Sequence, residues 1–278
     1  MGFLGTELFV GLDAASVSAA TLSKGPGRRR LRGFARRELE PGALHPSPAG
    51  PNVVRREEVR GALEKVLGDL PANGRGRATL VLPDGIARLA VVEPPPGADP
   101  RDYLRFRLAS SLPWPAADAI VDFLPVDRGR VLGAAVRRGT VSEYEHLATG
   151  AGLSVDRVLL SPLVALGGLL GRGRSTGVHA FLGDVALCLA VIRDGGLAAF
   201  RSRRRDRSEG EADRLLAEAT RTVHLAGDGM GPVQLAVSGA DADRLRDALG
   251  GAATLAGRQW PEQWPDAAEA AWLGGMLS

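Results

Sequence analysis

Cysteine, histidine, lysine and aromatic residues are all scarce in this sequence, and each scarcity excludes something. Cys188 is the one cysteine among 278 residues, so neither an internal disulfide nor a cysteine-rich zinc site can form. Four histidines, His45, His146, His179 and His224, are scattered without metal-ligand spacing. Aromatics amount to 5%, which leaves a core built mostly from Ala, Val and Leu. No serine nucleophile elbow is expected. The stretch from Gly171 to Gly177 has the glycines of a phosphate-binding loop without its Gly-Lys-Ser/Thr core. No uncharged apolar run reaches about 18 residues, so no membrane-spanning helix is expected. The first residues lack the basic, apolar and small-residue succession of a secretion signal, and none is expected.

Arginine, glycine and proline are abundant instead. Gly 37 and Pro 18 predict many turns. Lys24 and Lys65 are the only lysines, so arginine supplies nearly all the positive charge behind a formal net charge of +3. Two clusters stand out, Arg28 to Arg30 and Arg201 to Arg207. Each reads either as a solvated loop or turn, or as a contact for phosphate groups or an anionic membrane surface. The length and a 45% hydrophobic share allow one large domain or two modest ones with a real core.

Apolar stretches predict strands over 9–12, 16–22 and 31–39, a meander, followed by a loop over 40–52. Val59, Ala62, Leu63, Val66, Leu67 and Leu70 recur at the 3.6-residue period and predict a helix over 55–70. A strand over 78–82 completes a β-β-β-α-β unit. Next come a strand over 86–92, a helix from Pro100 with Asp99 as N-cap, and strands over 119–124 and 130–136. Thr140 to Glu143 reads as a capping box opening a helix. A strand over 155–160 and a helix from Ser161 follow. The unit then returns with strands over 178–182, 186–192 and 197–202. A helix opened by a Ser208 to Glu211 capping box, a strand over 233–238 and a helix over 241–249 complete it. Trp260, Trp264 and Trp272 mark a last segment expected to end in a helix. Cys188, inside an apolar strand, is expected to be a buried structural thiol.

This repetition resembles the ribonuclease-H-like half that actin, sugar kinases and Hsp70 chaperones duplicate. The expected fold is α/β: a duplicated ribonuclease-H-like fold of the actin-like ATPase superfamily with a small α/β insert, degenerate and lacking most of one subdomain. Residues 1–83 and 139–176 would form the first half, 84–138 the insert, and 177–278 the second half. In that superfamily tight turns hold phosphates, and the resemblance implies a nucleotide site. It would use Gly11, Asp13, Ser16 and Ser18 in the first turn, Gly183 in the second, and Ser238 and Gly239 after a later strand. Ala15 replaces a glycine of the pattern. Phe181 is read at the second aspartate position, with Asp184 three residues late and Ala186 near the hydroxyl position. Ser202 leads almost at once to Ser208, without room for the subdomain found there in family members. These departures imply a vestigial site and no cofactor; ATP with Mg²⁺ is the ligand they argue against. The alternative is an actin-like ATPase or small-molecule kinase with ATP between the halves, for which no residue recommends itself as general base.

The ordered motifs also resemble the PilM family, the actin-like cytoplasmic scaffold of type IV pilus assembly, and the related GspL cytoplasmic domain of type II secretion. The residues that carry this are Val10 to Leu22, Leu82-Pro83-Asp84 with 86–94, Leu104 to Pro115, Asp122-Phe123, and Val131 to Val136 followed by Val141 to Ser161. The resemblance implies a non-catalytic scaffold, cytoplasmic and peripheral to the inner membrane. It would bind the short cytoplasmic tail of a PilN-like inner-membrane protein in a groove between the first half and the insert. Tyr103, Arg107 and Trp114 are expected along that groove; the other reading of Tyr103 and Trp114 is as core aromatics. Self-association stays open. Nucleic acid is not expected, because the arginine clusters lack interleaved aromatics. Membrane contact is expected through the partner only. The sequence stops at Ser278 without the spanning helix of GspL, which favours the PilM-like arrangement. The segment from Ala267 to Leu277 is expected to pack on the sheet of the second half.

Overall fold

A computed structural model describes residues 6–23, 29–71, 76–127, 129–170, 176–227, 233–255 and 271–277. Strands β1 (Thr6–Leu12), β2 (Ser16–Ser23) and β3 (Arg30–Glu38) form an antiparallel meander. Helix α1 (Arg56–Gly68) carries the chain to β4 (Arg77–Leu82), parallel to β1. Next, β5 (Ala87–Val92), α2 (Pro100–Leu108), β6 (Ala119–Asp127) and β7 (Arg130–Arg137) build a separate antiparallel sheet ordered β5-β7-β6. Helix α3 (Arg138–Gly150) returns to the first sheet, where β8 (Ser154–Leu160) lies parallel to β4. Helix α4 (Ser161–Leu170) then leads into the second half.

That half comprises β9 (Gly177–Leu182), β10 (Ala186–Arg193), β11 (Gly196–Arg204), α5 (Glu211–Leu225), β12 (Leu235–Gly239), α6 (Ala242–Leu249) and β13 (Ala253–Leu255). The large sheets are ordered β3-β2-β1-β4-β8 and β11-β10-β9-β12-β13. They match strand for strand, including three antiparallel strands followed by two parallel ones. This is the duplicated ribonuclease-H-like, actin-like fold that the sequence predicts.

Period-2 alternation assigns the faces. Leu8, Val10 and Leu12 pack with Val59 and Leu63 of α1 and Leu147 of α3. Phe9 points to the opposite face, onto α7 (Ala271–Met276). Helix α4 separates the two halves: Ala165 and Leu166 meet Phe181, Cys188 and Ala190, while Val164 packs toward Phe9 and Val81. Every residue of β2 is buried, as a strand covered on both faces requires. Cys188 is fully buried, as expected. Local chemistry agrees at α2, where the Asp99 carboxylate accepts from the Arg101 and Asp102 N–H groups at 2.7 and 3.2 Å, with Pro100 opening the helix.

Three local expectations are corrected. Helix α3 starts at Arg138, not within a Thr140 box; Thr140 Oγ1 is buried without a partner, and Glu143 accepts from the Asn52 and Val53 N–H groups at 2.6 and 3.1 Å. Helix α5 begins after Gly210 with no side-chain cap, because Glu211 turns inward to Arg205. The C-terminal segment packs on the first sheet, not the second: Trp272, Leu273, Met276 and Leu277 cluster with Phe9, Ala20, Leu22 and Val81. Trp260 and Trp264 lie outside the described residues. No helix among the described residues is long and apolar enough to cross a membrane.

Candidate functional site

The β1–β2 and β9–β10 turns meet where the two halves face each other. Their internal geometry is the same. Asp13 N–H donates to Ser16 O at 2.9 Å, and Gly183 N–H to Ala186 O at 3.0 Å. In the ladders Gly11 pairs with Ser18, and Phe181 with Cys188. Asp13 is therefore equivalent to Gly183, Ala14 to Asp184, and Gly11 to Phe181. Phe181 does not stand at the aspartate position, as the sequence suggested. Asp184 is late by one residue, not three. Ala186 does occupy the place of Ser16.

Asp184 reaches across the gap. Its Oδ2 accepts from Ala15 N–H at 2.8 Å, and Arg207 lies 3.4 Å from its Oδ1. Asp13 reciprocates at longer range, its Oδ2 accepting from Asp184 N–H at 3.4 Å, while its Oδ1 takes Ala14 N–H at 2.8 Å. Beside them Val185 presses on Gly85, where a Cβ would come within 2.9 Å of the valine methyl.

Behind the turns lies a cavity of about 40 Å³, lined by Gly11, Asp13, Ser16, Ser18 and Gly183 together with Arg36, Pro83, Ser161 and Trp272. Five of the seven predicted nucleotide-site residues thus do come together. Ser238 and Gly239 do not line it; Ser238 Oγ donates to Ala180 O at 3.4 Å, and Gly239 ends β12 with φ 98°. The space suits about three waters, whereas small-molecule sites run to about 300–1,000 Å³. Trp272 takes the room: a Cβ on Gly11 would lie 2.7 Å from its Nε1. Sequence reasoning missed Trp272 because nothing local ties a C-terminal tryptophan to the first hairpin.

The arginine cluster that runs from the end of β11 into the following connection is neither a plain solvated turn nor wholly free for phosphate. Arg205 has only 2% of its side chain exposed and donates to Glu211 Oε1 at 2.7 Å, Asp241 Oδ2 at 2.8 Å, Gly183 O at 2.7 Å and Ala240 O at 3.0 Å. Arg201 pairs with Glu218 at 3.1 Å. In the other cluster Arg29 pairs with Glu7 at 3.2 Å and sits over the Phe9 ring, while Arg28 lies outside the described residues. Most of the Gly171 to Gly177 stretch also lies outside them. Residues 173–177 spell Gly-x-Ser-x-Gly, the letters of a nucleophile elbow. The described element before them is helix α4, and Gly177 opens strand β9, so the element order is the reverse of the strand-then-helix of a nucleophile elbow.

A larger hollow of about 530 Å³ runs between the first half and the small sheet. Two edge strands flank it: among the described residues β8 pairs only with β4, and β6 only with β7. Pro125, which cannot donate to a ladder, sits in β6, as suits an edge. Ile86, Ile120, Leu124, Val158 and Leu163 supply apolar lining, and Asp122, Glu145, Asp156 and Arg157 supply charge. Arg101 pairs with Asp122 at 2.9 Å; Arg77 pairs with Asp156 at 2.7 Å and holds its carboxyl below the ordinary aspartate value. Tyr103, Arg107 and Trp114 do not line this groove. Tyr103 and Arg107 lie on α2, whose Leu104 and Leu108 cover the other face of the small sheet with Val121, Val131 and Ala135. Trp114 is 8% exposed, and its indole N–H is buried without a partner.

No protein-family model matches the sequence, and no curated protein does. The fold is nonetheless found in solved structures. A chain of the PilM-PilN type IV pilus biogenesis complex is similar over 98% of this chain and 97% of its own, with TM-score 0.74 and 18% identity. The cytoplasmic domain of EpsL, an inner membrane component of the type II secretion system of Vibrio cholerae, is similar over 92% and 88%, with TM-score 0.55 and 15% identity. A Bacteroides thetaiotaomicron protein with an actin-like ATPase fold and unknown function is similar over 88% and 87%, with TM-score 0.55 and 11% identity. The chain has a PilM-like, actin-like fold.

Proposed function

We propose that this chain is a non-catalytic scaffold of PilM type, which seats an extended tail of a PilN-like membrane protein between β6 and β8. In this reading it couples that partner to a type IV pilus or type II secretion assembly platform. It works at the cytoplasmic face of the inner membrane, held there by the partner. The observation that carries the reading is the apolar groove bounded by two edge strands. An extended peptide can complete such an edge with main-chain hydrogen bonds, while pockets take its alternate side chains. Asp122 and Asp156 on the lining are already paired with Arg101 and Arg77, so the apolar residues of the groove set its preference and favour a mainly apolar tail. The 40 Å³ cleft between the halves supports the non-catalytic part.

Titration calorimetry with the cytoplasmic segment of a PilN-like partner tests this. Val158→Asp and Ile120→Asp should each abolish binding while the far-ultraviolet spectrum and melting transition stay close to wild type. Undiminished affinity in both variants would refute the groove. The same preparation should hydrolyse no ATP; turnover that disappears on Asp13→Ala would refute the non-catalytic assignment.

A further inference from the structure

The backbone N–H groups of a tight turn form a concave donor set that attracts anions. In the β1–β2 turn two of them already have carboxylate acceptors. Ala14 N–H is taken by the turn's own Asp13, but Ala15 N–H is taken by Asp184, 169 residues away in the other half. The contact is short, at 2.8 Å, and the Asp184 side chain is only 7% exposed. Bonds from an N–H to an ionised acceptor are among the stronger ones available to a protein. The return bond from Asp184 N–H to Asp13 makes the arrangement reciprocal.

The surroundings are shaped to allow it. Gly85 lets Val185 approach, which brings the second turn down on the first half. Gly11 lets Trp272 occupy the space behind the first turn. Arg205 fixes the second turn from below through Gly183 O, and Arg207 partly neutralises Asp184 from outside.

We propose that Asp184 is the built-in anionic ligand of the β1–β2 turn, so that the chain closes its own two halves where another anion would otherwise be needed. The site is thus a carboxylate-binding site whose ligand is intramolecular, and a phosphate compound is a competitor for it. This inference does not depend on the peptide groove.

Amide hydrogen exchange at Ala15 in the full chain, measured by NMR, reads the clasp directly. In wild type Ala15 should exchange at least about tenfold more slowly than an exposed turn amide, consistent with a charge-assisted bond. Asp184→Asn keeps the shape but loses the charge, and should exchange faster than wild type. Asp184→Ala should exchange faster still. Millimolar pyrophosphate should slow Ala15 exchange in Asp184→Ala and leave wild type unchanged. Fast exchange at Ala15 in wild type overturns the proposal, whatever the variants do. So does equal exchange in wild type and Asp184→Asn. Pyrophosphate that protects wild type as well as the variant, or that protects neither, removes the anion-site assignment.

Discussion

Removing the Arg205 guanidinium is the sharpest test of how the second half is held together. The side chain is 2% exposed, and its main partner Glu211 is 7% exposed. Two carbonyls, Gly183 O and Ala240 O, and a second carboxylate, Asp241, complete its donor set. Arg205→Met has similar length and no charge. It strands the Glu211 carboxylate with Arg244 as its remaining cation, and that arginine is 54% exposed. Breaking a buried pair by deleting one member costs about 3–5 kcal/mol. For a chain of this size that corresponds to a fall in melting temperature of about 5–9 °C. Arg205→Met/Glu211→Leu should regain most of the loss, because the penalty is the unpaired charge and not the missing attraction. Urea titration followed by circular dichroism gives both numbers. A single variant within about 1 kcal/mol of wild type, or a double variant no better than the single, would refute the reasoning.

Other outcomes follow from particular contacts. Gly133→Ala should destabilise by about 1–3 kcal/mol or more through overpacking, since a Cβ there would fall inside the fully buried Leu104 side chain; exchange protection should drop first in the small sheet. Asn52→Ala should loosen the 40–55 loop, because the buried Asn52 amide donates to Ser47 O and Gly50 O and accepts from Ser47 N–H and Tyr144 O–H; limited proteolysis should then cut that loop. Burial lowers the His179 pKa below its ordinary 6.5, so the unfolded chain takes up the proton first as pH falls. Stability should therefore be flat above about pH 6.5 and decline below it, and His179→Phe should flatten that decline in urea titrations.

The elements were legible wherever apolar runs and periods carried them. The strands of both hairpins and the face of α1 are written in their own residues, and the repeat order follows from them. What escaped depends on partners far along the chain. Thr140 to Glu143 and Ser208 to Glu211 have the letters of capping boxes. The two glutamates instead serve the Asn52 backbone, 91 residues distant, and a pair of arginines, Arg205 close by and Arg244 33 residues on. The register of β9 against β10 is fixed by cross-strand pairing. Both strands are apolar almost throughout, so sequence alone did not place Asp184 within its turn. The destination of α7 was hidden for a similar reason: its apolar residues suit either sheet, and only the space left beside Gly11 and Phe9 selects the first.

The one-residue offset between the two turns accounts for how they fit together. Facing turns with aspartate at equivalent positions would oppose like charges across a gap of a few ångströms, where repulsion is costly away from bulk water. Here the first turn has aspartate then alanine, Asp13-Ala14, and the second has glycine then aspartate, Gly183-Asp184. The shift lets each carboxylate meet the other turn's N–H. The short connection from β11 to α5 completes the arrangement. Residues 205–210 place Arg205 beneath Gly183 and Arg207 beside Asp184. A cation is thus built against each side of the second turn. The same brevity that leaves no room for a further subdomain supplies the arginines that hold the turn in place.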